Sequence, residues 1–65
     1  MFVKYNDKVV NLNGCTAIAN KGGKLSVYYG DKSELIGEFT KDTGAMYLNK
    51  IYNALASGEA TISLD

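Results

Sequence analysis

Sixty-five residues carrying seven lysines, seven acidic side chains, no arginine and no histidine make one domain (residues 1–65) of zero net charge. That balance argues against duplex nucleic acid as a partner, because phosphate neutralisation needs a basic surplus and arginine is the usual bidentate reader of guanine and phosphate. A lone cysteine without histidine excludes an internal disulfide, disfavours a structural zinc site, and removes the commonest general acid–base at neutral pH.

Along the chain, Phe2 to Tyr5 reads as a strand ended by the turn-forming Asn6-Asp7-Lys8, and Val9 to Leu12 as a second. Asn13-Gly14 tolerates positive φ and favours either a tight hairpin turn or a bulge within one longer strand. Cys15 to Ala19 alternates, with Cys15, Ala17 and Ala19 on one face and Thr16 and Ile18 on the other. Asn20-Lys21-Gly22-Gly23 turns the chain into Lys24–Tyr29, where Leu25, Val27 and Tyr29 oppose Ser26 and Tyr28. Gly30-Asp31-Lys32-Ser33 turns it again into Glu34–Phe39, with Leu35, Gly37 and Phe39 on a shared face. Short connections of this kind favour an antiparallel meander.

A single helix follows, over about residues 41–57. Thr40 is its N-cap, Asp42 complements the dipole in the first turn, and Gly58 suits the left-handed residue that ends it. Leu48, Ile51, Tyr52 and Leu55 recur at helical spacing and form the expected buried stripe. Ala60, Ile62 and Leu64 then alternate with Thr61 and Ser63 in a short last strand. The fold class expected is α+β: an antiparallel β-meander of about five strands, packed by one helix and closed by a C-terminal strand. Whether the first two strands pair with each other or with the last one is open.

A chain this short buries about 60% of the surface its unfolded form exposes, and its core supplies only ~3–5 kcal/mol. With no disulfide or metal to help, burial against a partner subunit is the remaining support, so a homo-oligomer is expected. No apolar run approaches the roughly 20 residues that span a bilayer. Met1 to Tyr5 has neither the charged nor the apolar region of a signal peptide. A cytoplasmic protein with a reduced thiol and no membrane association is the simplest expectation.

Catalysis has little to draw on. Asp7, Asp31, Glu34, Glu38 and Asp42 lie mainly in or beside turns, and nothing in their spacing requires a desolvated pair. Cys15 on a strand reads better as a small hydrophobe than as a nucleophile. The Gly22-Gly23 turn joins two strands, without the strand–loop–helix context of a phosphate-binding loop. No catalytic residue, cofactor or metal is expected.

Five tyrosines are the one compositional excess. A single helix covers one face of a meander, leaving the other to carry some of Val3, Tyr5, Val9, Thr16, Ile18, Tyr28 and Ile36. Such a patch marks an interface unless the sheet curls to cover itself. Tyr28 and Ile36 are the expected hot spots, with Ile18, Tyr5, Tyr47 and Met46 as further interface candidates.

The elements Gly37-Glu38-Phe39, Thr40, Gly58 and Ala60 to Leu64 resemble those of a group of very short, mostly uncharacterised bacteriophage and prophage proteins. In that group a meander closes with Gly-Glu-aromatic, a threonine caps one helix and a glycine precedes a short last strand. Gly44, Ala45 and Met46 depart from the charge-rich helices of the group. The resemblance implies a mobile-element origin, residence in the host cytoplasm, and roles such as blocking a host defence system or sequestering its signal. Three functions are therefore carried forward. The first is a non-catalytic, oligomeric interaction protein that binds a host protein. The second is an oligomeric sponge for a small anion such as a nucleotide, and the third is a single-stranded nucleic-acid binder using tyrosine platforms.

Overall fold

Three two-residue turns organise the first half of the chain in a computed structural model that describes residues 1–64. β1 (Phe2–Tyr5) pairs antiparallel with β2 (Lys8–Asn11), and Tyr5 opposite Lys8 closes the turn over Asn6-Asp7. β3 (Ala17–Lys21) pairs in the same way with β4 (Lys24–Tyr29), and β4 with β5 (Lys32–Glu38). The leading turn residue has positive φ in each case, at 57° for Asn6, 62° for Gly22 and 69° for Gly30. Those values match the twist of paired strands, which is why asparagine and glycine occupy the positions.

The fold is α+β as expected, with a five-strand antiparallel meander, one helix and a C-terminal strand. The five strands are shared between two three-stranded sheets, ordered β2-β1-β6 and β3-β4-β5. Asn13-Gly14 is the crossing point. Here the Cys15 amide donates to the Leu12 carbonyl at 3.2 Å, and Gly14 has φ 80° while Asn13 does not enter the left-handed region. A hairpin turn with both central residues at positive φ is therefore absent, and β3 starts a new sheet instead of folding back on β2. β6 (Thr61–Ser63) runs parallel to β1, with Phe2 opposite Thr61 and Lys4 opposite Ser63. β1 thus pairs with both its neighbour in sequence and the last strand.

The core lies between the sheets and under the helix. Val3, Val10, Leu12 and Leu64 come from one side, Leu25, Val27 and Ile36 from the other, and Ile51 from the helix. Ile36 corrects the expectation of an exposed hot spot, since only 3% of it is accessible. The register between β4 and β5 jumps from Leu25–Gly37 to Ser26–Leu35, so Ile36 is an extra, unpaired residue. A bulge reverses the alternation beyond it. Ile36 turns inward, and Leu35, expected on the covered face, is left exposed. Val3, also placed on the uncovered face by the alternation, is fully buried.

Helix α1 spans Lys41–Ala56. The Thr40 hydroxyl accepts from the Thr43 amide at 3.1 Å, capping the first turn. At the other end the Gly58 amide donates to the Leu55 carbonyl and the Glu59 amide to that of Ala54. With Gly58 at φ 72°, this nested pair of bonds is the Schellman arrangement that only a residue comfortable in the left-handed region completes.

Candidate interaction groove

The two halves of α1 meet the rest of the molecule differently. Gly44 is buried, and a Cβ there would lie 2.5 Å from Asn20 Oδ1. Asn20 in turn accepts from the Gly23 amide at 2.9 Å and donates through Nδ2 to the Lys41 carbonyl at 3.2 Å. The missing side chain at 44 is what lets the helix start so close to the β3–β4 hairpin. One turn later Tyr47 packs edge-on against Phe39, and Phe39 against Tyr5, with centroids 4.8 Å apart in both pairs. These contacts join β1, the strand–helix junction and the helix.

Toward its C-terminus the helix lies over the inward face of β3, where Ile51 is buried. Tyr52 and Leu55 reach past that strand and stay 68% and 46% exposed. The expected buried stripe is therefore rotated: Gly44, Ile51 and Ala54 are its fully buried members. Tyr52 and Leu55 are not core residues. The physical reason is width, because Tyr47, Leu48, Ile51, Tyr52, Ala54 and Leu55 form a broader apolar arc than one edge strand can cover.

Between β3 and this half of the helix runs an apolar groove of about 410 Å³. Cys15, Thr16, Ala17 and Ile18 line one wall, and Leu48, Ile51, Tyr52 and Leu55 the other. No lining residue carries a formal charge. Thr16 secures the first wall, with its amide donating to the Tyr28 carbonyl at 2.8 Å and its hydroxyl accepting from the Gly30 amide at 3.3 Å. β3 is an edge strand, paired only with β4 among the described residues. Hydrogen-bonded and non-bonded pairs alternate in an antiparallel ladder. Since Lys21–Lys24 closes the tight turn, that alternation directs the backbone N–H and C=O of Ile18 and Asn20 to the open edge. An apolar trough and a row of unpaired backbone groups thus run side by side.

The residues singled out from the sequence do not form one patch. Ile18 lines the groove, on the helix-covered face instead of the uncovered one. Tyr5 and Tyr47 are half-buried in the aromatic cluster. Met46 is 58% exposed on α1. Tyr28 is half-buried on the outward face of its sheet, with Lys21 Nζ 5.1 Å above its ring. Hydrogen bonding to Tyr28, then the charge interaction with it, raises the Lys21 pKa above its ordinary value, so this lysine keeps its charge. Sequence reasoning missed Tyr52 and Leu55 as surface residues, although the excess width of the helix stripe carried the signal.

Compared with family models, curated proteins and solved structures, the chain matches none of them. Among the described residues there is no helix long and apolar enough to cross a membrane, and no group of three or more His, Cys, Asp or Glu placed to hold a metal ion.

Proposed function

We propose that this is a non-catalytic interaction protein that binds a target protein by accepting an extended segment along the open edge of β3. The observation that carries the reading is the coincidence of that edge with the groove. Strand addition takes affinity from backbone hydrogen bonds and selectivity from pockets that receive alternate side chains. Ile18 and Asn20 supply the backbone groups, and Leu48, Tyr52 and Leu55 supply the pocket. Tyr52 is the anchor, because exposed aromatic side chains dominate interface energetics. The resemblance to short phage and prophage proteins supports a host-defence protein in the cytoplasm as the target class to try first.

The expected homo-oligomer uses the same edge in this reading, because an antiparallel strand is complementary to its own twofold copy. Self-association and target capture then compete. A small anionic ligand gains no support from the groove, whose lining offers no countercharge.

A photo-crosslinking residue at position 52, introduced in the cell that makes the protein, tests the proposal. The expected result is a discrete crosslinked protein, or a crosslinked second copy, that is lost in Ile18→Pro. That variant deletes an edge N–H while sparing the β3–β4 ladder, and circular dichroism checks its folding. Equal crosslinking from Lys4, on the other sheet, would overturn the assignment. So would survival of the crosslink in Ile18→Pro.

A further inference from the structure

The Asn13-Gly14 turn plays no part in the groove or in the hairpins, and its chemistry is separate from both. We propose that it is a site of spontaneous modification, where Asn13 is converted through a cyclic imide to aspartate and isoaspartate. Asn13 and Gly14 are both exposed, and Gly14 has no heavy atom within 4 Å of the position a Cβ would take. The attacking group, the Gly14 backbone nitrogen, donates no hydrogen bond to another described residue. Glycine also leaves that nitrogen without a neighbouring side chain to shield it. On the other reactant, Asn13 Oδ1 accepts from the Met1 ammonium at 3.1 Å. That donor sits on the oxygen where negative charge collects as the tetrahedral intermediate forms.

The step balances within the chain and one water molecule. The Gly14 nitrogen bonds to Asn13 Cγ, the Cγ–Nδ2 bond breaks, and Nδ2 leaves as ammonia with the proton lost from the Gly14 amide. Water then opens the imide at either carbonyl. Opening at Cγ gives aspartate, and opening at the backbone carbonyl gives isoaspartate with one extra methylene in the main chain. No other asparagine of the chain precedes glycine: Asn6 precedes Asp7, Asn11 Leu12 and Asn20 Lys21. Asn49 and Asn53 are held in the helix. The added methylene would fall between buried Leu12 and Cys15, where the chain passes from one sheet to the other.

The test ages the folded protein and the free peptide Asn11–Thr16 together, in one buffer at one temperature. Conversion is followed by anion exchange and by mass, as the exchange of one NH for one O. Exposed turns open locally at almost no cost, so the folded protein is expected to convert within about tenfold of the peptide's rate. Peptide mapping is expected to place the change at position 13, and Asn13→Gln, whose longer side chain disfavours the ring, to stay unchanged. A folded protein still intact when the peptide has fully converted would overturn the inference. The same would follow if Asn13→Gln acquired the acidic form at the wild-type rate.

Discussion

The N-terminal half of α1 is fastened by its cap, a hydrogen bond and ring contacts, and its C-terminal half mainly by burial of Ile51 and Ala54, though the two are continuous and similarly apolar. Near the start, the Thr40 cap, the Asn20–Lys41 bond and the Tyr5–Phe39–Tyr47 contacts act within two turns. Near the end, Ile51 and Ala54 are covered while Tyr52 and Leu55 stay largely in water. Apolar content alone therefore does not decide what a helix buries. The partner surface does, and here it is a three-stranded sheet whose outermost strand lies beneath the helix.

The largest expected loss comes from removing the residue that unites the halves. Ile51→Ala should cost about 2–5 kcal/mol, comparable with the ~3–5 kcal/mol a domain of this size commands. Urea denaturation followed by circular dichroism should find the variant mostly unfolded; a midpoint near wild type would mean the helix is not held by its core contacts. Gly44→Val attacks the fastened half by driving a side chain into Asn20, at an expected cost of about 1–3 kcal/mol from overpacking. The same denaturation series reads it, and an unchanged midpoint would show that the close approach at Gly44 does not matter. Thr40→Ala removes the cap and should cost about 1 kcal/mol. Hydrogen exchange should rise first in the opening turn of the helix.

Tyr52→Ala and Leu55→Ala sharpen the contrast from the other side. Each should shift stability by no more than about 0.5 kcal/mol, as exposed positions do, and Leu55→Ala should also abolish crosslinking from position 52. A thermal midpoint that falls as far as in Ile51→Ala would show that the open half is core after all.

Tyr29 is a control away from the helix, with the smallest effect. Burial, followed by the charges of Cys15 and Glu34, raises its pKa above the ordinary tyrosine value, and its neutral hydroxyl donates to the Asn11 carbonyl. A raised folded-state value gives stability that is complete below about pH 10 and is lost as pH rises through that value. Alkaline denaturation should begin later in Tyr29→Phe than in wild type, and identical profiles would exclude Tyr29 as a contributor.

Much of the fold was legible because its punctuation is local. Asn6-Asp7, Gly22-Gly23 and Gly30-Asp31 specify their turns through backbone preference, and Thr40 and Gly58 bracket the helix. The bulge at Ile36 was not legible, since the strand's alternation reads the same with or without an extra residue. The division into two sheets was hidden too, because Asn13-Gly14 suits several turn geometries and only the φ of Asn13 distinguishes them. In the groove, periodicity identified Leu48, Ile51, Tyr52 and Leu55 as one apolar group. How much of that group β3 covers depends on helix placement, which Gly44 and Asn20 set through a contact between residues 24 positions apart.

The pairing of β1 with β6 has a consequence for how the chain is made. β1 lies at the centre of its sheet, yet one of its neighbours lies 59 residues further along the chain, with Phe2 opposite Thr61 and Val3 opposite Ile62. A two-stranded hairpin is marginal in water by itself, so β1 and β2 leave the ribosome as a half-built sheet. The backbone of β1 lacks its parallel partner until Thr61–Ser63 arrives, and that closure joins residues 59 positions apart. Folding thus cannot be completed before β6 has left the ribosome, and a ribosome stalled inside α1 would hold a chain unable to finish its core.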